Sequence, residues 1–105
     1  MTSSEILDRL FAVINSRRDA DPTSSYTAKL LSDGRPRIAR KFGEEAIEAV
    51  IAATEGDKAA LTAESADVLY HLLVTWADAG ITPDEVWAEL ERREGVSGID
   101  EKNSR

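Results

Sequence analysis

Apolar residues recur along this chain at spacings of three and four, and glycine, proline or short polar residues interrupt them where helices would begin and end. Ser3 or Ser4 is placed to cap a first helix whose Ile6, Leu7, Leu10, Phe11, Val13 and Ile14 follow a 3.6-residue period, ending near Asp19 to Pro22. A shorter segment from Ser24 to Leu31 starts on serine and stops before the turn signal Asp33-Gly34. The third helix should begin around Pro36, suited to a first turn, and run through Thr54 to Gly56. Asp57 can cap a fourth that reaches Ala79 and stops at Gly80. Thr82-Pro83-Asp84-Glu85 supplies a cap, a first-turn proline and two acids for a fifth, which stops at Gly95. Residues 96–105 read as a polar tail. With no credible strand run, the expectation is an all-α fold: a single domain over residues 1–105, a bundle of about five helices around a central antiparallel pair.

Helical wheels locate the charges. With Ile38 at zero and about 100° per residue, Ile38, Phe42, Ala46, Ala49, Val50 and Ala53 fall between roughly 0° and 120°, and Ile47 and Ile51 near 180° to 220°. Lys41, Glu44, Glu45 and Glu48 fill the stripe between these apolar arcs. On the fourth helix, apolar residues from Leu61 to Val74 cover about 40° to 280° around Glu64, leaving a narrow stripe with Glu64, Asp67, His71 and Asp78. Joined by the short Glu55-Gly56-Asp57 turn, the two helices can bring their acidic stripes face to face. Helices this apolar elsewhere need cover from neighbours, which predicts a homodimer.

The net charge of −7 excludes a general nucleic-acid binder, whose affinity comes from lysine and arginine on phosphates. Basic residues nonetheless gather at Arg35, Arg37, Arg40 and Lys41, just ahead of the acids, where a small polyanion could bind. No apolar run approaches the ~18 residues of a membrane span, and the first residues lack a secretory pattern, so the expected location is cytoplasmic, with no membrane partner. Cysteine is absent, which removes disulfides, zinc-thiolate sites and thiol nucleophiles.

Facing carboxylates in a partly buried groove repel one another, and each ionised group withdrawn from water costs about several kcal/mol unless a partner offsets it. A cation does so. Oxygen ligands, no cysteine and a single histidine favour Mg²⁺, or Mn²⁺, over zinc, and no EF-hand calcium loop is present. The competing reading makes these acids ordinary surface groups paired with Arg40, Lys41 and similar residues at helical spacing.

Three segments carry a resemblance. Ser25-Tyr26-Thr27-Ala28-Lys29-Leu30, the run from Ile38 to Glu48 with its Glu44-Glu45-x-x-Glu48 element, and Glu64-x-x-Asp67 within residues 64–74 resemble the phosphoribosyl-ATP pyrophosphohydrolase family of histidine biosynthesis. The ending from Arg93 to Lys102 is similar to that family's C-terminal signature, so the likeness covers about Leu7 to Arg105. The two acidic elements alone identify only the wider MazG-type all-α nucleoside triphosphate pyrophosphohydrolases. Phe42 and Trp76 are bulkier than the family pattern, which reads as packing variation.

The resemblance implies Mg²⁺-dependent hydrolysis of phosphoribosyl-ATP between its α and β phosphates, giving phosphoribosyl-AMP and pyrophosphate. It makes Glu45, Glu48, Glu64 and Asp67 the principal metal ligands, with Glu44 holding a further ion or orienting the attacking water as general base. Lys29 would hold phosphate and Tyr26 would stack on adenine or ribose, against the plainer reading of a surface lysine and a half-buried tyrosine. Arg37, Arg40 and Lys41 are candidate phosphate contacts, although Lys41 also suits charge balance with Glu45 and Glu48. His71 would hydrogen-bond a ligand carboxylate, unless it is a satisfied core histidine. Ser97, Gly98 and Lys102 would fold over the ribose phosphate, with a disordered terminus as the alternative. Two other functions share parts of this pattern: a broad nucleoside triphosphate pyrophosphohydrolase, and a non-enzymatic helical interaction module.

Overall fold

The computed structural model describes residues 3–105. Among them six helices follow in order: α1 (Glu5–Ser16), α2 (Tyr26–Asp33), α3 (Arg35–Glu55), α4 (Lys58–Ala79), α5 (Pro83–Arg93) and α6 (Gly98–Ser104). The architecture is all-helical, and no strand occurs among the described residues.

The caps form as the sequence marks them. Ser25 accepts the Ala28 N–H, Asp57 accepts the Ala60 N–H, and Thr82 and Glu85 exchange both bonds of a capping box. Gly56 ends α3 at φ +72°, a left-handed conformation that spares the Cβ clash other residues would meet, and so turns the chain directly into α4. The first helix is shorter than expected. It stops at Ser16 because the Arg17 N–H bonds back to Ile14, and residues 17–25 then form successive turns, with Asp21 accepting from the Thr23 N–H at 2.9 Å.

The antiparallel pair α3 and α4 is the centre of the fold, with α1 laid against α4 and α2 against α3. Ile14, Leu30, Ile38, Leu73, Val74 and Ala77 form the buried cluster, so each of the first four helices contributes to one core. Each fully buried aliphatic side chain there contributes about 2 kcal/mol of transfer free energy. Trp87 packs edge-on against Trp76, centroids 5.9 Å apart, and fixes α5 to α4. The C-terminal end of α4 is held by two cations: Arg18 donates to the Ala77 carbonyl, and Arg35 bonds both the Asp78 carboxylate, at 2.7 Å, and its carbonyl. Asp78, which the wheel grouped with the acids, is thereby neutralised at the far end of the helix from Glu64.

The sixth helix lies where the sequence reads as a polar tail, because residues 98–104 are helical. Ser97 accepts the Asp100 N–H at 3.0 Å, and the buried Glu101 carboxylate accepts from Arg92 at 2.9 Å, with Arg93 and Arg105 at 3.6 and 3.8 Å. Glu89 completes the network through the same two α5 arginines, whose hydrogen bonds hold its carboxyl down at about 2. Its folded-state value lies below that of the unfolded chain, so the Glu89 contribution is present above 4.5 and is lost as pH falls towards 2. Glu101→Ala is expected to release α6 while the bundle stays folded. Amide exchange should lose protection over residues 98–104 and keep it in α3 and α4; unchanged protection in α6 would show that other contacts hold it.

Candidate active site

Glu45 and Glu48 lie one turn apart on α3, and Glu64 lies opposite on α4; one carboxylate oxygen from each falls within 4.8 Å of the others. The hairpin produces this meeting. Gly56 and the Asp57 cap keep the turn tight, so α4 returns along α3 and brings Glu64 to the α3 acids. The Oε2 of Glu64 is buried and has no hydrogen-bond partner. Burial, and then the neighbouring Glu48 carboxylate, push the Glu64 carboxyl above its ordinary value, with the charges of Asp67 and Glu45 adding to the effect. A cavity of about 230 Å³ opens beside the acids, lined by Glu48, Ile51, Ala52, Glu55, Ala60 and Glu64.

Three convergent carboxylates with an orphaned, desolvated oxygen constitute a site of the wrong charge for itself. A hard dication fits this donor set: it removes the repulsion and supplies the partner Glu64 lacks. Asp67, one turn on from Glu64, is exposed and near enough for its charge to act on Glu64, but it stands outside the convergent three.

Glu44 is directed elsewhere. It is half exposed and pairs with Lys41 at 3.2 Å and Arg40 at 3.7 Å. Lys41 is raised above its usual value, first by its hydrogen bond to Glu44 and then by the nearby Tyr26, Glu44 and Glu45. Lys29 and Arg37 converge on Asp33, at 3.6 and 3.0 Å, so this aspartate organises two of the expected phosphate contacts.

His71 is buried, and its bonds differ from the expected one to a ligand carboxylate. Nδ1 contacts the Asp67 main-chain carbonyl at 2.7 Å and Nε2 contacts the Tyr26 hydroxyl at 3.3 Å. The reason is helical: a side chain at i+4 meets the i carbonyl when its ring turns back along the helix. Thr27 bonds the Tyr70 hydroxyl beside it. The tail does not reach the acids. Every side-chain bond and ion pair of residues 97–105 among the described residues stays within the tail or runs to α5, and Ser97 and Gly98 form the start of α6 with Lys102 in its last turn.

Sequence reasoning passed over Asp33, Tyr70, Thr27 and Glu101. Asp33 carried a local signal, lying four residues from both Lys29 and Arg37. Ser97-x-x-Asp100 likewise marks a helix start, but the pairing of Thr27 with Tyr70 depends on how α2 meets α4 and has no trace in the sequence.

Comparison with known proteins places the chain in a family. The family model for phosphoribosyl-ATP pyrophosphohydrolase matches residues 7–94. Phosphoribosyl-ATP pyrophosphatase of Azospirillum brasilense is 59% identical over 103 residues, covering 98% of this chain and 93% of that protein. The proteins of the same name from Paramagnetospirillum magneticum and Rhodospirillum rubrum are each 62% identical, covering 97% and 96% of this chain and 94% and 86% of their own. The chain, with its paired acidic helices, therefore belongs to the phosphoribosyl-ATP pyrophosphohydrolase family.

Proposed function

We propose that this protein hydrolyses phosphoribosyl-ATP to phosphoribosyl-AMP and pyrophosphate, the second step of histidine biosynthesis, in a site whose acids hold Mg²⁺ or a similar dication. The observation that carries the reading is the unpartnered, buried Glu64 oxygen among converging carboxylates, on a chain of this family. Glu45, Glu48 and Glu64 would hold the ion, with Asp67, one turn on from Glu64, as a further candidate ligand. When bound, the ion neutralises charge developing on the phosphate oxygens and lowers the pKa of a bound water.

The chain's own residues do the rest. Water adds at one of the two phosphorus atoms joined by the α–β bridging oxygen, the bond from that phosphorus to the bridging oxygen breaks, and phosphoribosyl-AMP and pyrophosphate part. Glu44 is the candidate to accept the proton from water; in the structure its carboxylate is engaged by Lys41 and Arg40. Lys41, Arg40, Arg37 and Lys29 form a basic margin along α2 and α3 that meets the phosphates, and Tyr26 offers a half-exposed ring to adenine or ribose. Ser97, Gly98 and Lys102 would reach the substrate's ribose phosphate only if α6 leaves α5 or belongs to an adjacent subunit.

A homodimer goes with this reading, because α3 presents apolar residues to solvent on the side away from its core contacts. No helix among the described residues is long and apolar enough to cross a membrane, and a cytoplasmic location goes with a triphosphate substrate.

The test is pyrophosphate release from phosphoribosyl-ATP, beside ATP and dUTP, with Mg²⁺, Mn²⁺ or EDTA. Release from phosphoribosyl-ATP alone, abolished by EDTA and restored by Mg²⁺, is expected. Equal turnover of all three nucleotides would establish a broad pyrophosphohydrolase instead, and no release from any would leave an interaction module.

A further inference from the structure

Two successive residues of α2 bond two successive residues of α4. The Tyr26 hydroxyl meets His71 Nε2 at 3.3 Å, and Thr27 meets the Tyr70 hydroxyl. The three rings form one cluster: Tyr26 stacks on Tyr70 at 6.2 Å and 26°, and Tyr70 stands edge-on to His71 at 5.0 Å and 89°. Burial raises the Tyr70 hydroxyl above its usual value, so it stays protonated and the bond with Thr27 persists.

The histidine's other nitrogen decides the sense of the first bond. Nδ1 lies 2.7 Å from the Asp67 carbonyl, which can only accept, so Nδ1 carries the proton. In the neutral ring Nε2 is then an acceptor, and the Tyr26 hydroxyl must donate to it. The direction of the tyrosine O–H is therefore set from the helical turn that carries Glu64 and Asp67. Tyr26 remains 48% exposed, so its ring is held from behind and open in front.

We propose that His71 is a positioning residue: it fixes Tyr26, and with it the start of α2, at a set place relative to the acidic turn of α4, so that nucleotide and acids are held in register. Tyr70 and Thr27 are the second bond of the same latch. The proposal rests on the reaction assigned above, because Tyr26 matters only where it touches substrate. It assigns His71 to the nucleotide side of the site, reached through a tyrosine, rather than to the metal side through a carboxylate.

The experiment compares Tyr26→Phe, His71→Leu, His71→Gln and the double variant Tyr26→Phe/His71→Leu, measuring KM and kcat for phosphoribosyl-ATP, with ¹⁵N NMR of the histidine ring in wild type and Tyr26→Phe. Losing one hydrogen bond of this kind is expected to raise KM about fivefold, more than it lowers kcat. The double variant should be no worse than either single one. Gln places an acceptor where Nε2 stood, and should recover most of the loss. The ring should show the neutral tautomer protonated at Nδ1, with the Nε2 signal shifting in Tyr26→Phe. Additive effects, a His71→Gln as impaired as His71→Leu, or a ring protonated at Nε2 would overturn the positioning role in an active enzyme. A wild type that does not turn over phosphoribosyl-ATP overturns the reaction first, and the proposal with it. Should His71→Leu fail to fold, Tyr26→Phe, His71→Gln and the ring spectrum still decide.

Discussion

Glu64→Gln is expected to lower kcat/KM for phosphoribosyl-ATP by roughly 10³-fold, since it removes a charged donor from the groups that hold the cation. The same change should raise the melting temperature of the metal-free protein. Both effects have one source. The Oε2 of Glu64 is withdrawn from water and has no partner, and three more acids act on the carboxyl. Its carboxyl is raised in the folded state, so its favourable contribution is complete below the unfolded value of 4.5 and is lost as pH rises through the raised one. At neutral pH the charged group therefore opposes folding of the apo protein, and a neutral amide of the same shape relieves it. The stability gain should be clear at neutral pH and vanish below 4.5, where wild-type Glu64 is itself uncharged. Added Mg²⁺ should stabilise the wild type through binding to the folded state, and stabilise the variant much less. Calorimetry in EDTA and in Mg²⁺ across pH, beside the pyrophosphate assay, checks all three. A variant that keeps near-wild-type turnover at limiting Mg²⁺, or melts lower than wild type in EDTA, would overturn the assignment of these carboxylates.

In the homodimer proposed above, Val50→Glu is expected to separate the two chains, with the mass in sedimentation falling from twice 11.5 kDa to 11.5 kDa. Ile47, Val50 and Ile51 stand at i, i+3 and i+4 on α3 and are 62%, 60% and 49% exposed, an apolar stripe that the chain's own helices leave uncovered. Leu69 on α4, 43% exposed, adds to the uncovered apolar surface. A stable pair of protein surfaces buries about 800 Å² on each side, and at about 25 cal/mol per Å² the apolar share of that area is a sufficient reason to associate. A carboxylate in the middle of the stripe would have to lose its water opposite an apolar partner, at a cost of about several kcal/mol. Because Ile51 also lines the cavity beside the acids, dissociation should reduce activity as well. A wild type that sediments as one chain, or a Val50→Glu protein that stays paired, would show that this stripe is not the contact.

The helices of this protein are written locally. Ser25, Asp57, Thr82 and Gly56 act within a turn of their own positions, which is why four of the expected helix boundaries agree closely with the structure. The tail reads as irregular because its short helix, although Ser97 caps it locally, is held in place by Glu101 finding arginines on α5, a contact between elements. The wheel groups Val50 with Ile38 on one apolar arc and sets Ile47 and Ile51 on the other; all three are exposed, because the buried side of α3 is centred on Ile38 and Ala52. Apolar content on two arcs says that both need cover, but not which is covered within one chain.

The site divides in the same way. Spacing along two helices was enough to bring Glu45, Glu48 and Glu64 together, since a tight antiparallel hairpin leaves little choice of facing residues. Sequence could not tell Glu64, with one buried and unpartnered oxygen, from Glu44, half exposed and ion-paired, nor assign His71 to Tyr26 rather than to a carboxylate. Which elements exist, and which acids share a face, follow from periodicities of a few residues. Which oxygen is stripped of water, and which ring finds which partner, are set by packing between helices far apart in the chain, where small differences in distance change the energy of a charge by more than any local preference.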